Sequence, residues 1–426
     1  MVKHAMTCSK KGDVLVQEFF DGIPAVTYQG SYANHPFAFR FYDPERIVAG
    51  RPMREHFCFA LPLDAVNCFG LEGGDALLGS MELLNKLGVP YYTLTDSALA
   101  GEGGSLRERN VRLDEMAEAM LCLQETFGVQ ALRVAADLSH PRYCYGAATS
   151  YSADIYAFAA AQVKKSLELA HRLESKYFCF FGGQETRSGF YATVNDSLES
   201  ENLLRLLARL HEHAGTLGYK GKLCVQPGAY AHANIHGETQ ETGVPEPYWP
   251  SAAHALAFLR YGTLDEAFRV DMPVTGRLSD LRMLLQAERL GLMETRPVFG
   301  GNLVPMMTHI QLELLRAGTV HGMVLDLQPK FAATPEDYMI HCIMNMDACA
   351  CGLLLAQRIL LDGRVDQFHR ERYGEFGYGL GQMIINDQAD FAALEEHALV
   401  RGEVHAATNR LEYIENVFQN MLCRGI

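Results

Sequence analysis

Short runs of apolar residues recur along the chain, and most gaps between them carry an amphipathic helical pattern, for example at 113–128, 153–173, 199–218 and 278–291. Near-continuous apolar runs of this length are typical of parallel strands that are buried on both faces. Strands are predicted at 57–63, 91–96, 132–137, 177–183, 222–228, 268–273, 296–301 and 322–327. This rhythm predicts an α/β protein with a closed (β/α)8 TIM barrel. The alternative is an open doubly wound sheet, which is less favoured because the chain has no GxGxxG turn.

The positions of the predicted strands divide the chain into three segments. Residues 1–56 form an N-terminal lead-in, residues 57–364 form the barrel, and residues 365–426 form a C-terminal helical arm. The arm is charged and mostly helical, which suggests packing against another subunit. The long polar stretch at 229–250 follows a barrel strand and is broken by Pro and Gly. Such a stretch is expected in a lid or rim.

Composition restricts the classes of function. Hydrophobic residues make up 48% of the 426 residues, which supports a large core, and the net charge is −14. A nucleic-acid surface would need a Lys/Arg face, so none is expected. The eleven cysteines include no CxxC pair, as in a reduced, cytoplasmic protein. We expect neither a signal peptide nor a membrane span, because the chain has no apolar run of suitable length.

Polar residues follow most of the predicted strands. Barrel enzymes place their catalytic groups at the carboxyl ends of the strands. A ring of carboxylates there suggests a divalent-metal site with oxygen ligands, whereas the alternative is that each Asp caps the next helix. The predicted seventh strand ends without an acid. The other strand ends offer Asp64, Asp96, Asp137, Glu185, Gln226, Asp271 and Asp326.

Several longer stretches resemble the xylose isomerase family over nearly the whole chain. The most specific are SHPRYCYGAATS (139–150) and AFAAAQVKKSLELAHRL (157–173). Further stretches lie at 39–56, 86–96, 101–110, 180–185, 346–373 and 389–399. The resemblance implies a (β/α)8 barrel, a C-terminal arm and tetramers built from tightly embraced dimers. It also implies two divalent ions (Mg, Mn or Co) that hold an open-chain aldose while a hydride shifts from C2 to C1.

The family's first catalytic motif is altered. The family has Phe-His-Asp-x-Asp after the second strand, in which the His assists ring opening and the first Asp orients it. Here Asp96 is kept, but Thr95 replaces the His and Ala98 replaces the second Asp. A threonine hydroxyl does not serve as a base near neutral pH, whereas imidazole does. Thr95 and Asp96 remain candidate catalytic residues, together with the retained Glu185.

The metal-binding motifs are altered as well. The family's Glu-Pro-Lys-Pro begins here with Gln226 and carries Gly228 in place of the Lys. Its Glu-Ala-Asn-His becomes a stretch from Asp271 to Val274, and residues 300–305 lack the family's Asp-x-Asp. The resemblance therefore leaves one reduced set of metal ligands, namely Asp271, Asp326 and the neutral Gln226. The cofactor expected from this set is no cation, or one weakly bound Mg²⁺ or Mn²⁺.

Some family features remain. Phe181 keeps an aromatic wall for the apolar face of a sugar, although the family has a Trp there. Phe69 matches a family Phe that enters the neighbouring subunit's pocket; the alternative for both rings is core packing. Asp64 stands where the family has a Trp. The candidate substrate-binding residues are Phe181, Phe69, Asp64 and Gln226.

Two hypotheses about function remain open. In the first, the chain is a homo-tetramer or dimer that binds a sugar or polyol and is poorly active or inactive in xylose and glucose isomerisation. In the second, it is a sugar isomerase or epimerase with altered chemistry or a single divalent metal. A fold alone does not choose between them, because function depends on the site.

Overall fold

Eight parallel strands close a barrel in chain order, as the sequence predicts. They are β1 (Phe59–Pro62), β2 (Tyr91–Thr95), β3 (Gln130–Ala135), β4 (Tyr177–Phe181), β5 (Lys222–Gln226), β6 (Phe268–Pro273), β7 (Leu290–Thr295) and β8 (Met323–Leu325). The computed structural model describes residues 18–63, 69–71, 73–101, 104–182, 185–187, 194–227, 246–274, 276–295, 303–319, 323–325, 333–405 and 410–423.

Each strand is followed by a helix that covers the outside of the barrel. These helices are α1 (Gly73–Leu87), α2 (Leu106–Phe127), α3 (Ala153–Arg172), α4 (Asp196–Leu217), α5 (Ala252–Tyr261), α6 (Leu278–Gln286), α7 (Leu303–Ala317) and α8 (Pro335–Asp362). Several begin with side-chain caps: Ser105 and Glu108 form a reciprocal capping box at α2, and Ser152 caps α3. Short helical turns lie at Met53–Phe57, Asp96–Leu99 and Pro141–Tyr143.

The predicted position of the seventh strand is wrong. A helix was expected over 278–291 and a strand over 296–301, but α6 ends at Gln286 and β7 runs from Leu290 to Thr295. Glu288 has a left-handed backbone (φ 56°) and the Arg289 amide bonds back to the Leu284 carbonyl, which ends the helix. As a result, β7 carries an acid that the prediction missed, namely Glu294. Residues 296–302 lie outside the described part of the chain.

Helix α8 is the longest described helix and packs closely against α7. Gly352 allows this approach, because a Cβ added there would lie 2.6 Å from Met307 Cβ. Among the described helices, only α8 is long and apolar enough to span a membrane. However, 72% of its most apolar 18-residue stretch is buried inside the protein. A core helix meets the same two criteria, so this composition does not by itself indicate a span.

The C-terminal arm contains α9 (Arg364–Tyr373), α10 (Gly379–Ile385), α11 (Phe391–Arg401) and α12 (Leu411–Cys423), with a 3-10 turn at Gly374–Gly377. Among the described residues of the arm, only those of α12 contact the barrel's helices through buried side chains: Val417 and Met421 pack with Leu312 and Ile359. None of the residues of α9, α10 or α11 is buried. The division of the chain at residues 56 and 364 stays a prediction.

In the part of the chain that the structure describes, three pairs of very short strands lie outside the barrel. Thr27–Tyr28 pairs with Ala38–Phe39, and Ile47–Val48 pairs with Arg51–Pro52. Residues 186–187 pair with residues 246–247, so the chain after β4 is joined to the chain before α5. Both of these segments follow strand ends at the same mouth of the barrel. The third pair therefore forms part of the rim on which the candidate site stands.

Candidate functional site

Asp96 lies at the carboxyl end of β2 and is fully buried. Its carboxylate accepts hydrogen bonds from the Asp137 amide (2.7 Å), Gln162 Nε2 (3.0 Å) and Ser166 Oγ (2.9 Å). Arg109 Nη2 lies 2.9 Å from Asp96 Oδ2. Burial raises the pKa of Asp96, against the opposing effect of Arg109 and the hydrogen bonds. This carboxylate therefore ties the end of β2 to α2, β3 and α3.

Thr95 is half-buried beside Asp96 and belongs to a chain of hydroxyl groups. Its Oγ1 lies 3.0 Å from Ser97 Oγ, and Ser97 in turn donates to the Asp137 carboxylate. Burial acts to raise the pKa of Asp137, but hydrogen bonds from Ser139 and Ser97 outweigh it and hold that pKa below its ordinary value. Where the family resemblance implies an imidazole, this rim thus carries two hydroxyls and an ionised carboxylate.

Glu185 is fully buried and its carboxylate holds a loop. It accepts hydrogen bonds from the amides of Ala148 and Thr149 at 2.9 Å each, and from Thr149 Oγ1 at 2.6 Å. Burial raises its pKa, and these hydrogen bonds act in the opposite direction. Both carboxylate oxygens are used in fixing residues 148–149. The geometry is that of a structural clamp, and the predicted catalytic role of Glu185 stays a prediction.

The barrel interior contains an ionic cluster contributed by four strands. Arg133 on β3 donates to Glu294 on β7, and its Nη1 lies 3.9 Å from Asp271 Oδ2 on β6. Gln226 on β5 donates from Nε2 to the second oxygen of Glu294 at 2.7 Å. The Arg133 guanidinium also lies over the ring of Phe181, 5.1 Å from its centroid. The structure thus brings Gln226, Asp271 and Phe181, three predicted site residues, into one cluster.

Asp271 is held in the cluster by the neighbouring strand. Its Oδ1 accepts a hydrogen bond from the Leu292 amide at 2.7 Å, at a point where the register between β6 and β7 shifts. Burial raises the pKa of Asp271 to about 6, although Arg133 and the Leu292 amide act to lower it. Its Oδ2 is buried without a hydrogen-bond partner. Asp271 is therefore a carboxylate that exchanges its proton closer to neutral pH than an exposed aspartate does.

The remaining predicted site residues are separate from this cluster or outside the described chain. Phe69 packs against its own chain, with its ring centroid 6.0 Å from that of Tyr338. Asp64, Gly228 and Asp326 lie outside the described residues. The roles predicted for Phe69, Asp64 and Asp326 therefore stay predictions.

The described residues do not fit a divalent ion of the Mg²⁺ or Mn²⁺ type. Such an ion takes six oxygen ligands in an octahedron, mainly carboxylates and water. Within the described ranges, no three His, Cys, Asp or Glu side chains are grouped so that they could hold a metal ion. Asp271 Oδ1 and both Glu294 oxygens already accept hydrogen bonds from protein donors, and the Arg133 guanidinium supplies the positive charge.

The sequence of this chain is similar to a known family model and to known proteins. The model of the XylA2 C-terminal domain matches residues 369–422, which lie in the arm. A xylose isomerase of Caldanaerobacter subterraneus subsp. yonseiensis is 30% identical over 448 residues, covering 95% of this chain and 99% of that protein. The chain belongs to the xylose isomerase family. A xylose isomerase of Thermotoga maritima is likewise 30% identical, over 96% of this chain and 99% of its own.

Solved structures agree on the fold. The structure of an L-ribulose 3-epimerase matches with a TM-score of 0.50 and 11% identity, over 71% of this chain and 96% of that chain. At this identity the likeness shows the fold alone. The family and the barrel inferred from the sequence are thus both confirmed.

Sequence reasoning missed Arg133 and Glu294, although signals for both were present. Arg133 is the single charge in the apolar run ALRVAA, and a charge in a strand buried on both faces needs a buried partner. Glu294 was missed because the helical pattern of 278–291 was extended too far. A strand assigned to 290–295 would have placed an acid in the seventh strand, facing the barrel interior with the other strands' polar residues.

Proposed function

We propose that this xylose isomerase family member binds a sugar or polyol at the barrel mouth and carries out little or no two-metal aldose–ketose isomerisation. The observation that carries the proposal is the engagement of the retained carboxylates. Asp96 and Glu185 hold neighbouring segments, and Asp271 and Glu294 face Arg133. A polarising metal and a free base supply much of the catalysis in such a reaction.

The polar groups at the mouth suit a neutral carbohydrate. Gln226 lies opposite Phe181 on the neighbouring strand and donates to Glu294, so polar groups and an apolar ring stand side by side there. Much of the stretch predicted to form a lid or rim, residues 229–250, lies outside the described part of the chain. The expected cofactor is none, or one weakly bound Mg²⁺ or Mn²⁺. We place the protein in the cytoplasm as a homo-tetramer or dimer, without a nucleic-acid or membrane partner.

Sugar binding is tested by thermal unfolding of EDTA-treated protein with xylose, glucose, ribulose, xylitol and sorbitol. A ligand at one hundred times its Kd adds about 2.7 kcal/mol to the free energy of unfolding, which raises the Tm by a few degrees. We expect at least one of these compounds to do so, and NMR to show no aldose–ketose conversion. The Gln226→Ala variant should lose the shift, whereas Tyr32→Ala, at a residue 95% exposed, should keep it.

Conversion of xylose to xylulose by protein supplied with Mn²⁺, at rates usual for enzymes, would contradict the proposal. Absence of any thermal shift across the panel would contradict sugar binding.

A second function is favoured by Asp271 alone. Its pKa of about 6 and its unpartnered Oδ2 suit a proton acceptor, and Arg133 is an electrophile beside it. Proton transfer through an enediol, as in a sugar isomerase or epimerase with altered chemistry, needs only these two roles. This function predicts turnover of a sugar with a pH–rate profile whose acidic limb lies near pH 6. In Asp271→Asn, turnover should fall by about 100- to 10,000-fold and the remaining activity should lack that limb.

A further inference from the structure

Arg133 is a permanent cation at the centre of the barrel. It lies on β3 among apolar residues, and its side chain is 10% exposed. The guanidinium pairs with Glu294, lies 3.9 Å from Asp271 Oδ2 and covers one side of the Phe181 ring. Its contacts therefore come from β4, β6 and β7. Gln226 on β5 extends the cluster through its hydrogen bond to Glu294.

The two carboxylates of this cluster need a cation. Asp271 and Glu294 are both buried, on neighbouring strands of the closed barrel. Two buried negative charges at short range repel each other, and each loses its hydration. The resemblance to the xylose isomerases implies that divalent ions supply the positive charge in this part of the barrel. In this chain the charge belongs to a side chain.

The guanidinium and a divalent ion would compete for the same groups. A Mg²⁺ or Mn²⁺ ion needs direct bonds to carboxylate oxygens, at about 2.0–2.1 Å for Mg²⁺. Asp271 Oδ1 accepts from the Leu292 amide, and the Glu294 oxygens accept from Arg133 and Gln226. An ion placed between these carboxylates would also lie within a few ångströms of a like charge. Binding would therefore require the Arg133 side chain to leave.

The surrounding strands are shaped for this arrangement. A Cβ at Gly291 would lie 2.2 Å from Asp271 Oδ1, so only glycine leaves room for the carboxylate in its present position. The register shift between β6 and β7 brings the Leu292 amide to the same oxygen. Phe181 gives the guanidinium a cation–π contact on one side. Positioning of Asp271 and Arg133 is thus supported by β4, β6 and β7.

We propose that Arg133 is a built-in replacement for the divalent ion, which makes the barrel independent of metal. It neutralises Asp271 and Glu294, orients Gln226 through Glu294, and makes uptake of a divalent ion unfavourable. This inference goes beyond sugar binding and does not depend on which ligand the barrel takes.

The first test is on the wild-type protein. We expect its Tm to be the same, within about a degree, after EDTA treatment and in millimolar MnCl2, since no ion contributes to folding. Electron paramagnetic resonance of free Mn²⁺ should show less than a tenth of an ion bound per chain at micromolar concentrations, which means a Kd at least roughly ten times the free Mn²⁺ concentration. A Tm raised by Mn²⁺ together with one ion bound per chain would overturn the proposal, whether or not any variant folds.

The second test removes the charge. Arg133→Met keeps much of the side-chain volume but leaves two buried carboxylates without a cation, so its Tm should fall by roughly 3 to 6 °C. Adding MnCl2 should restore part of this loss in the variant only. Adding Glu294→Gln to Arg133→Met should also recover stability, because one of the two repelling charges is gone. The matched control is Arg205→Met, which removes an exposed ion pair with Glu201 and should change the Tm little.

An Arg133→Met variant as stable as the wild type, or one not stabilised by either Mn²⁺ or Glu294→Gln, would contradict the role of Arg133. If sugars fail to shift the Tm while these metal results hold, the proposed function is wrong and the present inference stands. If a sugar raises the Tm but the metal results fail, the present inference is wrong and the proposed function stands.

Discussion

At the scale of single residues, the buried carboxylates of the barrel mouth differ in what they contact, and this sets their ionisation. Asp96 and Glu185 accept hydrogen bonds from several protein donors. Asp271 is paired less completely: Oδ1 accepts a hydrogen bond, and Oδ2 lies at a longer distance from Arg133. Burial raises the pKa of all three carboxyl groups, and it raises the pKa of Asp271 to about 6. Asp271 is one residue at which pH should act on stability.

We predict that Asp271 makes the protein more stable as the pH falls towards 5. The folded-state pKa is about 6 and the ordinary value is 3.8, so the folded protein takes up a proton before the unfolded chain does. A raised pKa contributes stability that is fully present at low pH and is lost as the pH rises through the folded-state value. Between about pH 7.5 and pH 5 the gain is about 1 kcal/mol in the free energy of unfolding.

Denaturant unfolding at the two pH values measures this gain, with Asp271→Asn compared with the wild type. The variant should lack the gain, whereas the exposed Asp154→Asn should behave as the wild type does. An equal pH dependence in wild type and Asp271→Asn would show that the Asp271 carboxyl does not titrate in this window.

At the scale of elements, close packing between α7 and α8 depends on one glycine. A Cβ at Gly352 would lie 2.6 Å from Met307 Cβ and 2.9 Å from the backbone of residues 307 and 308. Met307 and Thr308 are both fully buried, so a shift of α7 away from α8 would disturb their packing. The close contact between α7 and α8 therefore sets the position of the last helix against the barrel.

We predict that Gly352→Ala destabilises the protein by about 1–3 kcal/mol, as is usual for overpacking a tight core. The matched control is Gly374→Ala, since Gly374 has helical backbone angles and no atom within 4 Å of the added methyl group. Its effect should stay within about 0.5 kcal/mol. Chemical denaturation measures both. An unchanged midpoint in Gly352→Ala would mean that α7 and α8 separate at little cost.

At the scale of the whole molecule, the arm carries apolar side chains that its own chain leaves uncovered. Phe391 is 93% exposed, Val400 84% and Ile385 63%. An apolar surface of this kind usually marks an interface between proteins. The matching family model covers this part of the chain, residues 369–422. The arm is therefore the surface on which we expect a second copy to pack.

We predict that Phe391→Asp combined with Val400→Asp shifts the protein from a homo-tetramer or dimer towards smaller species. Sedimentation velocity over a range of concentrations measures this shift. The Tm of the barrel at low concentration should change little, because both side chains are exposed in the single chain. Gln388→Asp adds charge at an exposed position of the arm without removing an apolar side chain and should leave association intact. A monomeric wild type would contradict the predicted assembly.

The sequence by itself determined the barrel and the family. Apolar runs at strand spacing depend only on local order, so β1 to β6 and β8 overlap the predicted strands. The substitutions in the family's motifs, such as Thr95 and Gln226, can likewise be identified from the sequence alone. The seventh strand was misplaced because helical periodicity continues past Gln286, whereas the left-handed backbone at Glu288 ends the helix.

Only the tertiary structure decided what the retained carboxylates contact. Arg133 and Glu294 are 161 residues apart in the chain, and closure of the barrel brings them together. Whether a buried acid becomes a metal ligand, a clamp or half of an ion pair depends on the donors within hydrogen-bonding distance, and sequence periodicity carries no record of that distance. For this reason the sequence showed which family groups were lost, and the structure showed that a guanidinium lies among those that remain.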